Sequence, residues 1–269
     1  MSRVLSIVTG ANRGFGSSIC QEFVKFSPNK EQHLDFILFA RSADSLKNTK
    51  ESIKTLSKVA NVIEEYGVEM SDIPQVEKTF KDCLDKIEWN KYSKICLVNN
   101  HGTLYNLDKI DTFTDFQHIQ KNNDINITSF VTISSLFLRK VKALPNFKDL
   151  EVTMVNITSL AAIKPFESWG LYCSSKAFRE MFSNVIAEEN KSSPNFKVLN
   201  YSPGPLDTDM QKEVRETCSS EETRQFYLEL KKNNNLVAPG DSARALAKLV
   251  FTYEFTTGQH IDYYDIKEK

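Results

Sequence analysis

A chain of 269 residues in which 34 Lys and Arg oppose 35 Asp and Glu carries a formal charge of -1, so it has no general field to attract nucleic acid or an anionic membrane. Its 41% hydrophobic residues suffice for a sizeable core, and no apolar run approaches the about 18 residues of a membrane span. The five cysteines, Cys20, Cys83, Cys96, Cys173 and Cys218, are scattered and form no CxxC pair, which speaks against a disulfide framework and a metal site and for a reduced, cytoplasmic chain.

The length exceeds the usual prior of roughly 100 to 200 residues per domain, but single α/β domains often reach about 250, so one domain over 1–269 is expected. The N-terminus enters a strand pattern directly, with no long apolar stretch of the kind that opens an export signal. Asn-x-Ser/Thr triplets begin at Asn126, Asn156, Asn190 and Asn200 and are expected to remain unglycosylated.

In chain order, residues 4–8 are a short, partly β-branched apolar run, a buried strand that ends in the turn TGANRGFG at 9–16. Gly10, Gly14 and Gly16 let the backbone bend sharply and approach a ligand, and the helix expected at 17–26 would aim free N–H groups at a phosphate. A structural strand-to-helix turn could also collect three glycines, so this stretch alone favours a dinucleotide without deciding it. A second strand at 35–40 ends in Arg41 and Ser42, where an NAD-preferring site would place an acid for the ribose hydroxyls. Arg41, helped by Arg13, would instead pair with a 2′-phosphate, which implies NADPH. The competing view is that Arg41 is a solvated charge at a strand end.

Helices at 46–57 and 73–87 and a strand at 61–65 continue the alternation, placing Glu69 and Met70 beside an adenine. A strand at 95–98 runs into Asn99, Asn100, His101 and Gly102. Residues 124–144 are expected to form one long helix with Asn126 in its first turn. A strand at 152–157 then leads into SLAAIKPFESWGLYCSSK, residues 159–176, where Tyr172 and Lys176 stand four apart on one face of a helix. A phenol beside an ammonium is a proton donor in waiting, and Lys176 is expected to lower the pKa of Tyr172. Phe166 and Trp169 either stack on a ligand ring or fill the core of the loop. A sixth strand at 197–201 ends in SPGPLDTDM at 202–210, and the charged residues 211–235 are expected to be helical, either a substrate lid or a solvated excursion. A helix at 242–252 and a strand-like closing run carrying Asp262, with a frayed charged tail, complete the chain.

Strand and helix alternating over the whole length give an α/β fold, a Rossmann-type doubly wound parallel sheet of about seven strands with helices on both faces and its ligand at the carboxyl ends. TGANRGFG, NNHG, Ser159, YCSSK and SPGPLDTDM, in this order and spacing, make the chain resemble the short-chain dehydrogenase/reductase family over essentially all of its length. Within that family the likeness is to reductases of pterin side-chain ketones.

The resemblance implies an NADP-dependent oxidoreductase with Asn126, Ser159, Tyr172 and Lys176 as the catalytic set: Tyr172 donates the proton, Ser159 holds the substrate oxygen, Lys176 binds the nicotinamide ribose and Asn126 supports a water chain to the lysine. It implies cofactor contacts from Gly10, Asn12, Arg13, Gly14, Phe15 and Gly16, and from Arg41, Ser42, Glu69 and Met70. It implies others from Asn99, His101, Gly102, Tyr172 and Lys176, and from Pro203, Leu206, Asp207, Thr208, Asp209, Met210 and Gln211. Ser159, Leu160, Tyr172, Gly204 and Asp262 would hold a small-molecule pterin, the Asp262 carboxylate taking the amino-pyrimidine edge. A homodimer through the helices at about 124–144 and 173–189 is also implied. Two departures stand out: His101 replaces the family's usual Ala in NNAG, bringing an imidazole near the cofactor, and Glu69 replaces Asp. Alternative functions are a broader reductase of small diketones or aldehydes, and an NADPH-binding regulator without activity.

Overall fold

The computed structural model describes residues 3–27 and 32–267. The chain begins with β1 (Arg3–Thr9), α1 (Gly14–Phe26), β2 (His33–Ala40), α2 (Lys47–Leu56), β3 (Ala60–Gly67), α3 (Ile73–Lys86) and β4 (Lys94–Asn99). Then come α4 (Phe116–Asn123), α5 (Ser129–Lys142), β5 (Glu151–Ile157), α6 (Gly170–Glu189) and β6 (Phe196–Ser202). The last part holds α7 (Asp209–Thr217), α8 (Glu221–Lys232), α9 (Pro239–Thr252), β7 (His260–Asp262) and α10 (Tyr263–Lys267).

All seven strands lie parallel in the order β3-β2-β1-β4-β5-β6-β7. The expected doubly wound sheet is therefore present, with its reversal of strand order between β1 and β4. Five strands, β1, β2, β4, β5 and β6, are almost continuously buried, as a sheet covered on both faces requires. Edge strand β3 is mostly half-buried or exposed instead, with Ala60 its one buried residue. One core packs α1 and α9 on the sheet through Ile19, Phe23, Leu246 and Val250, and the other packs α3, α5 and α6 through Phe80, Ile133, Phe137 and Ile186. No helix among the described residues is long and apolar enough to cross a membrane.

Four elements differ from the sequence expectation. Helix begins at Phe116, eight residues before the expected 124, because Asp115 accepts hydrogen bonds from the N–H groups of Gln117 and His118 and so caps a polar first turn that lacks an apolar stripe. Between α4 and α5 the backbone widens to a π-helical turn over Asp124–Thr128, which places Asn126 in the middle of a helical rod and not in its first turn. The charged 211–235 region is two helices: α7 ends before Cys218, and Ser220 caps α8 by accepting from Thr223 N. The closing strand lasts only three residues and turns into α10, and positions 268–269 of the expected frayed tail lie outside the described residues.

Asn126, Asn156, Asn190 and Asn200 are all buried, so none is a glycan acceptor in the folded chain. Asn156 and Asn200 face each other across β5 and β6, with Asn156 Nδ2 donating to Asn200 Oδ1 at 2.9 Å and Asn200 Nδ2 donating to Asn184 Oδ1 at 2.9 Å. A polar seam thus runs through an otherwise apolar layer, with its donors and acceptors matched.

Candidate active site

A cavity of about 1010 Å³ opens over the carboxyl ends of the strands. Its floor is the turn between β1 and α1. Gly10 has φ +64°, a left-handed conformation that disfavours side chains, and a Cβ on Gly16 would overlap the Gly10 carbonyl. α1 therefore starts close beneath the cavity, with no acidic residue in its first turn and no side chain occupying its first N–H groups. Asn100 locks this turn to β4: its Nδ2 donates to the carbonyls of Thr9 at 3.1 Å and Gly10 at 3.0 Å. A phosphate fits such a glycine-lined helix start on grounds of close approach and dipole direction.

His101 does not crowd the cavity with its ring. Its Nδ1 lies 2.8 Å from Thr9 Oγ1 and its Nε2 2.9 Å from Ser129 Oγ, tying β1 to α5 through the interior. Burial, with the nearby Arg179 and Lys176 charges, holds its pKa well below the ordinary 6.5, so the ring is neutral at pH 7. The His101 departure is thus absorbed by the core.

Ser159 ends the turn after β5, where its Oγ accepts from Ala161 N at 3.1 Å. Tyr172 enters on the first turn of α6, and Lys176 follows one turn later with its Nζ donating to the Ile157 carbonyl at 2.6 Å and lying 5.5 Å from the Tyr172 ring centre. All three line the cavity. The phenol is pushed up to about 12 by burial, against which the Arg179 charge and the Ser159 hydroxyl act. Burial and Arg179 together hold Lys176 well below the usual lysine value, with Glu180 opposing them. The expectation that Lys176 lowers the Tyr172 pKa is therefore corrected: the buried phenol is raised by desolvation, and Arg179 is the cation that acts against it.

Arg179 was not anticipated. It lies on the buried face of α6 and donates from Nε to Asn156 Oδ1 at 3.0 Å, from Nη1 to the His101 carbonyl at 2.8 Å and from Nη2 to the Asn99 carbonyl at 2.7 Å. Its guanidinium also lies 4.5 Å from the Phe130 ring centre, and burial lowers its pKa to about 10. An arginine seven residues after Tyr172 falls on the same helical face, which is the one signal the sequence offered.

Asn126 stands behind the wall. Its Oδ1 accepts from Thr103 N at 2.9 Å, and its Nδ2 donates to the Thr103 carbonyl at 3.1 Å and to Asn122 Oδ1 at 2.8 Å. It clamps the irregular segment that carries Thr103 past the cavity. Asn99, Ser42 and Asp207 also sit off the wall: the Asn99 side chain donates to Ser134 at 3.1 Å, Ser42 receives the turn at Ser45 through its carbonyl, and Asp207 pairs with Lys231 at 2.7 Å. Arg13 is engaged by Asp209 at 2.5 Å, whereas Arg41 has no ion pair among the described residues and lines the cavity beside Ala40.

Gly10, Asn12, Arg13, Gly14, Phe15 and Gly16 line the cavity, as do Arg41, Glu69, Met70, His101 and Gly102. Pro203, Gly204, Leu206, Thr208, Asp209, Met210 and Gln211 close it from the β6 side, with Leu160 and Asp262. Both side-chain polar atoms of Gln211 are buried without a hydrogen-bond partner among the described residues. Asp262 accepts from Ser202 Oγ at 2.6 Å and from Tyr264 N at 3.0 Å, which fixes its carboxylate. Trp169 is stacked on Tyr227 at 5.7 Å and tilted against Phe166 at 5.2 Å, so these rings pack on one another.

The model of the family short chain dehydrogenase matches residues 5–219. The chain belongs to this family. The likeness extends further: this dehydrogenase is 35% identical over 264 residues to sepiapterin reductase of Meriones unguiculatus, covering 96% of this chain and 95% of that one. It is 28% identical to a Bacillus cereus benzil reductase, covering 95% and 97% of the two chains. Among solved structures, levodione reductase superposes with a TM-score of 0.77 over 97% of this chain and 95% of its own, at 18% identity, a likeness of fold. The short chain dehydrogenase is thus an oxidoreductase of a family that uses a nicotinamide dinucleotide, and the glycine turn, the free start of α1 and the unpaired Gln211 fit that group.

Proposed function

We propose that this dehydrogenase is an NADPH-dependent reductase of the side-chain ketones of sepiapterin and 6-pyruvoyl-tetrahydropterin, acting in the cytoplasm in the reductions that complete tetrahydrobiopterin. The observation that carries the assignment is the oriented Asp262 carboxylate lining the same cavity as Ser159, Tyr172 and Lys176. Such a carboxylate takes two hydrogen bonds from a 2-amino-4-oxo pyrimidine and leaves the side-chain ketone to reach the phenol. The 35% identity to a sepiapterin reductase supports it.

A nicotinamide dinucleotide held by the glycine turn and Lys176 would supply the hydride when bound in its reduced form. Tyr172 Oη delivers the proton to the carbonyl oxygen, and Ser159 Oγ donates to that oxygen as its charge grows, giving the alcohol. Lys176 stands one turn behind the phenol to hold the cofactor ribose, and Asn126 keeps the Thr103 segment in register behind it. Arg41 holds the 2′-phosphate. Val214, Phe226, Tyr227 and Leu230 of α7 and α8 line the cavity, which supports a substrate cover over a solvated excursion. Exposed Phe178, Met181 and Val185 give α6 an apolar outer stripe, which supports a homodimer.

A second reading, a reductase of aromatic or small diketones, is favoured by the aromatic wall of Phe166, Trp169 and Tyr227 and by the benzil reductase relative. NADPH oxidation with sepiapterin beside a simple diketone, in the unchanged enzyme and in Asp262→Ala, separates them. The pterin assignment expects a large KM increase for sepiapterin alone; an unchanged sepiapterin KM in Asp262→Ala overturns it.

A further inference from the structure

Past the proton-handling side chains lies a second polar cluster that plays no part in the mechanism above. Glu180 stands one helical turn beyond Lys176, so Tyr172, Lys176 and Glu180 form a row along α6. The buried Glu180 carboxylate accepts from Thr158 Oγ1 at 2.6 Å through Oε2 and meets His260 Nδ1 at 2.8 Å through Oε1. His260 lines the cavity from β7. Asp262, two residues further on the same face of β7, lines it as well.

A carboxylate oxygen accepts from an imidazole N–H, so the contact with Glu180 orients the ring with Nδ1–H toward the carboxylate. Nε2 has no hydrogen-bond partner among the described residues. It is a lone-pair acceptor when the ring is neutral and a charge-assisted donor when the ring is imidazolium.

We infer that His260, oriented by Glu180, is a substrate-binding residue whose Nε2 donates to a ring oxygen while Asp262 accepts from the N–H groups beside that oxygen. The matching chemistry is a lactam edge, a carbonyl adjacent to a ring N–H and an amino group, as in a 2-amino-4-oxo pyrimidine. This rests on the pterin assignment and adds the residue that reads its oxo group. The charged groups facing the His260 ring are carboxylates: Glu180 from α6, Asp262 from β7 and Asp265 from α10. Asn200 is its neighbour in register on β6, Thr158 reaches it through Glu180, and Lys176 acts on Glu180 from further up α6. The Glu180 bond, with the carboxylate charges, raises the His260 pKa above its ordinary 6.5, which favours the donor form.

The test is the KM for sepiapterin at saturating NADPH, from about pH 6 to about pH 9, for the unchanged enzyme, His260→Leu and His260→Gln, with NADPH binding as a check of folding. The unchanged enzyme is expected to hold a low KM at the acid end and to lose about tenfold as His260 deprotonates, the range of a hydrogen bond from a charged group. His260→Leu should show the high KM at every pH. His260→Gln, with an amide donor that does not titrate, should recover much of the affinity without the pH step. A His260→Leu enzyme with the unchanged KM, or one that keeps the same climb, overturns the inference. Should the Leu variant fail to bind NADPH, persistence of the climb in His260→Gln overturns it equally. Absence of sepiapterin turnover in the unchanged enzyme removes the pterin assignment and this inference together, whereas turnover with an indifferent Leu variant removes this inference alone.

Discussion

Tyr172 is a buried acid whose pKa rises to about 12, so the phenol stays protonated through neutrality and is loaded for reduction. The reverse reaction needs the phenolate. Carbonyl reduction should therefore hold its rate from neutral into mildly alkaline pH while alcohol oxidation climbs with pH, as paired pH profiles of the two directions will measure. Tyr172→Phe should lower kcat about 10²- to 10⁴-fold with NADPH binding retained, in stopped-flow and binding measurements. Arg41 is open where Arg13 is not, because Asp209 already holds Arg13. Arg41→Asp should weaken NADPH about tenfold or more and NADH far less, and equal losses by titration would remove Arg41 from the 2′-phosphate. Tyr172, Lys176 and Ser159 could be read from the sequence because the spacing of a helix fixes which side chains share a face. The direction of the Tyr172 shift could not, since it depends on how deeply the phenol is buried, and burial is a property of packing.

At the scale of elements, the boundaries that failed were those written in polar residues. α4 carries QHIQKNN, whose helix is set by the Asp115 cap, and the π turn at Asp124–Thr128 has no composition that marks it. α6 carries more of the site than its tyrosine and lysine suggest, since Arg179 ties it to the ends of β4 and β5. Nothing acidic pairs with that guanidinium among the hydrogen bonds it makes; two main-chain carbonyls and an amide oxygen hold it. Arg179→Met should cost about 3 kcal/mol or more of stability in urea unfolding, because three buried acceptors lose their donor. It should also weaken NADPH binding, since the same bonds hold the NNHG turn against the glycine turn. A loss within about 0.5 kcal/mol, the range of an indifferent surface change, would show that Arg179 is a passenger.

For the molecule as a whole, the sheet and its ligand edge were legible because each parallel strand repeats one pattern, an apolar run ending in small or polar residues. The Glu180 to His260 contact was not, because it joins α6 to β7 across 80 positions of sequence. The outer stripe of α6 is an apolar surface that this fold leaves exposed, and under the homodimer proposal Phe178→Glu with Met181→Glu should shift the mass measured by light scattering from dimer to monomer. A chain that is monomeric before substitution would instead leave that stripe without a partner.

The buried asparagines also bear on where this protein can be made. Each of Asn126, Asn156, Asn190 and Asn200 opens an Asn-x-Ser/Thr triplet, and each finishes inside the fold. A nascent chain threaded through a glycosylating compartment would present all four to the transferase before the sheet closes. A glycan on Asn156 or Asn200 would stand between β5 and β6, where the two amides meet at 2.9 Å. The polar seam that is satisfied in a folded chain would then become an obstacle to folding, and expression through a glycosylating compartment is expected to yield more folded protein once those triplets are broken at their Ser or Thr.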